Sequence, residues 1–109
     1  MVLYVVRWDI PSKQTDEYLT WVRFGIAQTI AVPGVIELRS YRPVAGETQV
    51  VTTFQFEDFA SWSAWFDHEK VQAVFEQMFA MVTNIHRELW EPSPIMPEPI
   101  RPHQSDDLG

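Results

Sequence analysis

The chain contains no cysteine. A disulfide framework, thiolate metal sites and a cysteine nucleophile are thereby excluded, and the composition suits a reducing, cytoplasmic setting. Basic residues are scarce: eight Lys and Arg stand against fifteen Asp and Glu, a net charge of -7. With no local Lys/Arg cluster to offset it, such a field repels nucleic acid and anionic membrane, so neither is expected as a partner. Long apolar runs are absent as well. Leu3 to Val6 is too short for a signal core or a membrane span, and no basic segment precedes it. No G-x-S-x-G, Walker or G-x-G-x-x-G pattern occurs, which leaves serine-hydrolase and nucleotide chemistry without support. The histidines number three and none sits in metal-ligand spacing, so no metal and no cofactor are expected.

What the chain does have is apolar and aromatic mass. Of its 109 residues 46% are hydrophobic, with five Trp, seven Phe and three Tyr, enough for one well-packed domain. The first strand, Val2 to Trp8, is apolar on both faces: Val2, Tyr4, Val6 and Trp8 alternate with Leu3 and Val5. A strand covered on both sides has this pattern. Pro11-Ser12 breaks it, and a helix is expected from about Lys13 or Thr15 to Ile30 with Tyr18, Val22, Ile26 and Ile30 as its core stripe. Trp21 and Phe24 fall off that stripe, which suggests a second contact surface. Pro33-Gly34 ends the helix, and Val35–Tyr41 and Thr48–Phe56 form a hairpin of two strands.

Asp58 caps a following helix whose Phe59, Trp62 and Phe66 share a face. A second apolar set, Val71, Phe75, Met78 and Val82, is rotated by about 120° from the first, so a break is predicted near Asp67-His68-Glu69. Thr83 to Trp90 is the last strand. Five of the eight prolines follow it, so residues 91–109 read as an extended arm with a disordered end at Gln104–Gly109. Residues 1–90 form the domain. The order strand, helix, strand, strand, helix, strand is that of a ferredoxin-like α+β fold, a four-stranded antiparallel sheet with both helices on one face. The bare face calls for a second copy, and two such sheets would close into an eight-stranded barrel.

Element order and the segment Phe56-Glu57-Asp58-Phe59-Ala60-Ser61-Trp62, running through Asp67-His68 to Val71 and Phe75, resemble the dimeric α/β-barrel superfamily. That group holds antibiotic-biosynthesis monooxygenase-like, EthD-like, muconolactone-isomerase-like and haem-degrading proteins. The resemblance implies a homodimer joined through the sheet and a small, flat, often aromatic ligand held between sheet and helices. It also implies, for some members, oxygenation without metal or flavin through the substrate's own carbanion. The haem-degrading branch uses an Asn on the first strand, a Trp on the third and a His on the second helix. Here the first strand offers Arg7, Trp8 and Asp9, the third has no Trp, and only His68 could correspond, so haem degradation is not expected.

Candidate site residues follow. His68, with an ordinary pKa near 6.5, would suit proton abstraction and is the catalytic candidate; the plainer alternative is a solvated His between Asp67 and Glu69. His86, on one face with Trp90, could line a pocket or serve as an interface histidine. Trp8, Tyr41, Phe56, Trp62 and Trp65 could wall a planar ligand or be core, and Trp65 lies off the core stripe, at a pocket mouth or dimer contact. Arg7, Glu37, Arg39 and Tyr41 fall on odd strand positions; they could hold a carboxylate or form ion pairs on a partly wet interface. The leading expectation is a cofactor-independent monooxygenase or isomerase acting on a small aromatic or polyketide-like molecule. The alternatives are a non-catalytic ligand-binding or stress-associated dimer, and a purely structural one.

Overall fold

Pro11, which has no N–H to give a ladder, and Ser12 lie between β1 (Val2–Asp9) and α1 (Thr15–Ala31). The structure is a computed structural model and describes residues 1–13 and 15–102; His103 and the expectation for Gln104–Gly109 lie outside them. After α1 come β2 (Glu37–Tyr41), β3 (Val50–Phe56), α2 (Phe59–Phe66), α3 (Glu69–Met81) and β4 (Thr83–Trp90). The four strands pair antiparallel in the order β2-β3-β1-β4. This is the expected ferredoxin-like sheet, with β1 and β3 in its centre. Val2, Tyr4, Val6 and Trp8 enter one core with Phe54, Phe56 and the buried residues of all three helices. The helices therefore share one face of the sheet. No helix among the described residues is long and apolar enough to cross a membrane. Residues 91–100 are neither helix nor strand.

The predicted break falls at Asp67 and His68. Asp58 begins α2 by accepting the Ser61 N–H at 2.8 Å, and this bond holds its carboxyl below the ordinary carboxylate pKa. His68 begins α3: its backbone is extended and its Nδ1 accepts the Lys70 N–H at 3.1 Å. The turn between the helices lets α3 aim Val71, Val74, Phe75 and Met78 at the core.

Both strands of the hairpin are shorter than expected. Gln49 leaves the ladder because its N–H is taken by the Asp9 carboxylate at 3.0 Å as well as by the Trp8 carbonyl. At the other end only the Ile36 N–H, bonded to the Gln55 carbonyl at 2.7 Å, continues the pairing.

Two helix faces differ from expectation. On α1 the buried set is Tyr18, Trp21, Gly25 and Thr29, one position earlier on each turn than Val22, Ile26 and Ile30. Small side chains decide this. A Cβ on Gly25 would stand 3.2 Å from Val74 Cγ1, so glycine lets α1 and α3 approach, and the Trp21 indole then reaches the Val74 carbonyl at 3.3 Å. On α2 the deepest residue is Trp65, which is fully buried, while Phe59 is 59% exposed. Four aromatics span one arc of α2, and the sheet lies against its Trp65 edge: the ring sits 4.9 Å from Phe56 and 5.0 Å from Phe54. Gly34, with φ +125, makes the turn under this residue; a Cβ there would be 3.4 Å from the Ser61 carbonyl oxygen.

The opposite sheet face is assembled by register. Glu37, Gln55, Leu3 and Trp90 form one row, Arg39, Thr53, Val5 and Glu88 the next, and Tyr41, Val51, Arg7 and His86 the third. The odd-numbered charges thus share a face, as their positions imply. They pair within the chain: Arg39 to Glu37 at 2.7 Å and Arg7 to Glu88 at 3.8 Å, with Arg7 also 5.7 Å from the Trp90 ring. Val5 is only 1% exposed, so the centre of this face is already covered in the single chain, whereas Trp90 at its edge remains 45% exposed.

Candidate functional site

Of the apolar stripe predicted for α1, Tyr18, Val22 and Ile26 border an empty space, whereas Ile30 is outside its wall and 54% exposed. Leu19, Val22 and Ile26 form the roof of a cavity of about 470 Å³ between α1 and the sheet. Its floor is the helix-facing side of the three strands β2, β3 and β1, carrying Leu38, Ser40, Thr52, Phe54, Val6 and Trp8. Phe75 and Met78 of α3 close the back, and Trp21 closes the side. The half-exposure of Ile26 follows: it faces a void rather than packed atoms.

Polar groups are few and already arranged. The Trp8 indole N–H donates to the Tyr18 hydroxyl at 2.9 Å, which leaves that hydroxyl free to donate its own proton. Burial pushes the Tyr18 pKa up, so the phenol keeps this proton at neutral pH. Ser40 and Thr52 share a hydroxyl–hydroxyl bond of 3.3 Å on the floor. Gln49 lines the cavity too, and its Oε1 accepts the Ile10 N–H at 2.7 Å. No histidine and no carboxylate is among the lining residues described.

The sequence candidates divide. Trp8 and Tyr41 line the cavity. Phe56, Trp62 and Trp65 lie outside its wall, in the aromatic core on the α2 side: Trp65 donates its indole N–H to the Thr29 carbonyl at 2.9 Å, and Trp62 stacks on Phe66 at 5.1 Å. Trp65 is accordingly core, not a pocket-mouth or interface residue, because α2 turns its Trp65 edge to the sheet. His68 is absent from the cavity wall, and its Nδ1 lone pair is engaged as the α3 cap. His86 is on the opposite sheet face, 2.9 Å from the Asn84 side-chain oxygen. Among the described residues no group of three or more His, Asp or Glu could hold a metal ion.

Tyr18, Ser40, Arg42, Gln49 and Thr52 were not site candidates in the sequence. One signal for the cavity was present: the apolar arc of α1, from Tyr18 and Trp21 round to Ile26, is wider than one helix needs to cover a sheet.

A family model described as antibiotic biosynthesis monooxygenase matches residues 1–77. No curated protein matches the chain in sequence. Among solved structures it is similar to a DABB family protein with a ferredoxin-like fold from Mesorhizobium loti (16% identity, 84% of this chain and 96% of that one, TM-score 0.75). It is also similar to a dimeric ferredoxin-like protein of unknown function from Thermobifida fusca (11% identity, 82% and 88%, TM-score 0.69). A third is SnoaB, a cofactor-independent oxygenase from Streptomyces nogalater (15% identity, 89% and 97%, TM-score 0.67). At such identities the likeness to these structures speaks for the fold alone.

Proposed function

The chain belongs to the antibiotic biosynthesis monooxygenase family, and from that premise we propose that it oxygenates a small, flat aromatic or polyketide-like molecule without metal or flavin. The observation that carries this is the cavity under α1, at about 470 Å³ within the roughly 300–1,000 Å³ of small-molecule sites and lined mainly by aromatic and aliphatic side chains. The similarity to a cofactor-independent oxygenase agrees with it.

With no lining histidine or carboxylate, the substrate must be acidic enough to lose its proton to water. Its enolate or phenolate oxygen would then accept the Tyr18 hydroxyl, itself oriented by Trp8. The carbanion passes an electron to dioxygen, the radical pair joins, the peroxide anion so formed takes back from water the proton lost at the start, and the resulting hydroperoxide loses water. One activated methylene and one dioxygen thus become one carbonyl and one water, with the substrate carbon oxidised and dioxygen reduced. In this scheme His68 has no chemical part. Oxygen uptake is expected with quinol-type substrates, unchanged in His68→Ala and lowered about ten- to a hundredfold in Tyr18→Phe, the worth of one hydrogen bond to an anionic oxygen. The same lack of a lining acid or base favours the alternative of a binding protein without catalysis. Tight binding of such molecules with no oxygen uptake would establish that alternative and remove the oxygenase.

We also propose that two copies pair through the open sheet face. Support comes from the dimeric relative and from the exposed Trp90 on that face. Sedimentation at micromolar concentration is expected to give twice the chain mass; a single-chain mass would remove this pairing.

A further inference from the structure

The cavity is not uniform along its length. Strand register orders its floor into three rows. Leu38 faces Phe54 at the inner end, Ser40 faces Thr52 in the middle, and Val50 faces Trp8 at the outer end, where β2 has run on into Arg42. Along β2 and its continuation, polarity therefore runs from hydrocarbon at Leu38, through the Ser40 hydroxyl, to the Arg42 guanidinium, while Val50 and Trp8 keep the rest of the outer row apolar. The roof runs the same way, because α1 begins at the Trp8 end: Ile26 lies over the inner rows and Tyr18 reaches Trp8.

Among the described residues, Arg42 is the one lining residue with a formal charge. The ion pairs among the described residues belong to Arg7 and Arg39; Arg42 makes none. Nearby carboxylates do not neutralise it. Asp9 spends both oxygens on the Gln49 N–H and the Asn84 amide, and Asp16 and Glu17 of α1 are outside the cavity wall. In a chain of net charge -7, a cation beside an otherwise neutral cavity selects by sign.

We propose that Arg42 sets specificity for an amphipathic ligand, an aromatic body with an anionic end such as a carboxylate, bound with its rings against Leu38 and Phe54 and its anion at Arg42. This rests on the aromatic-ligand function above and narrows it to acids. The guanidinium offers two parallel N–H donors to a carboxylate, and the neighbouring Ser40 and Thr52 hydroxyls can solvate the middle of the ligand.

The test uses the full chain and two ligands of equal shape, naphthalene-2-carboxylate and naphthalene-2-carboxamide, titrated calorimetrically at about pH 7.5, where the acid is fully ionised. The carboxylate is expected to bind about tenfold more tightly than the amide, with that preference abolished in Arg42→Gln and reduced but not abolished in Arg42→Lys, which keeps the charge and loses the paired donors. Amide binding should weaken far less than carboxylate binding in both variants, since an uncharged amide lacks the ionic part of the contact with Arg42. Equal affinities in the native chain, or a preference that survives Arg42→Gln, would overturn the role of Arg42 while leaving an aromatic site intact. Failure of both ligands to bind would overturn the aromatic site, and this role with it.

Discussion

Trp65→Ala is expected to lower the unfolding free energy by about 4 kcal/mol, the usual cost of deleting a buried tryptophan side chain. Trp65 is the largest fully buried side chain among the described residues, and around it stand Phe54, Phe56, Tyr4 and Phe75, with ring centroids between 4.9 and 6.3 Å away. None of these can collapse into the space left behind without abandoning the strand or helix that holds it. A polar loss adds to the cavity: the indole N–H satisfies the Thr29 carbonyl near the end of α1. Trp65→Phe separates the two contributions, since it keeps most of the ring volume and removes the bond; it should cost about 1–2 kcal/mol. Urea unfolding followed by circular dichroism, at fixed protein concentration, checks both. A loss below about 1 kcal/mol for the alanine variant would mean that α2 does not pack as described.

Filling the cavity is expected to abolish ligand binding while sparing the fold. Ile26→Trp from the roof and Leu38→Trp from the floor, combined, project two indoles into the same space. Affinity for a planar aromatic acid should fall by at least about a hundredfold, because a site needs room before it can use any contact. The sign of the stability change is diagnostic. In a packed core two such enlargements would cost about 1–3 kcal/mol each. Over a void they bury new apolar surface and should leave stability unchanged or raise it by about 1–2 kcal/mol. A lower thermal midpoint in the double variant would show that α1 already rests on the sheet.

Much of the architecture was legible in the chain, for reasons of periodicity. The alternation Val2, Tyr4, Val6, Trp8 placed β1 on the helices, and the same parity put Arg7, Glu37 and Arg39 together on the far side. The mismatch between the Trp62 and Phe75 sets revealed the break at His68, since one straight helix cannot serve two directions. Periodicity fails where an apolar arc is too wide. On α1, Trp21 and Ile26 are equally oily, and only the Gly25–Val74 contact decides which edge meets mass and which overhangs space. The same ambiguity hid Trp65 on α2, where aromatics cover one broad arc. Arg42 carries no local mark in the chain: its place beside the cavity comes from register, and nothing nearby distinguishes a loop arginine that continues a cavity floor. His68 attracted attention by its chemistry, and the helix that it begins explains its place instead.

The Trp8 and Trp21 rings, 6.0 Å apart and inclined at 80°, both stand in the cavity wall. Two indoles this close, held at a fixed skew, share their excited states, so their optical transitions mix into a paired signal of opposite signs in circular dichroism. An aromatic guest lying against them would join that coupling or quench its emission. The protein thus carries its own spectroscopic gauge of occupancy, and a search for the natural guest can proceed by light, without a label.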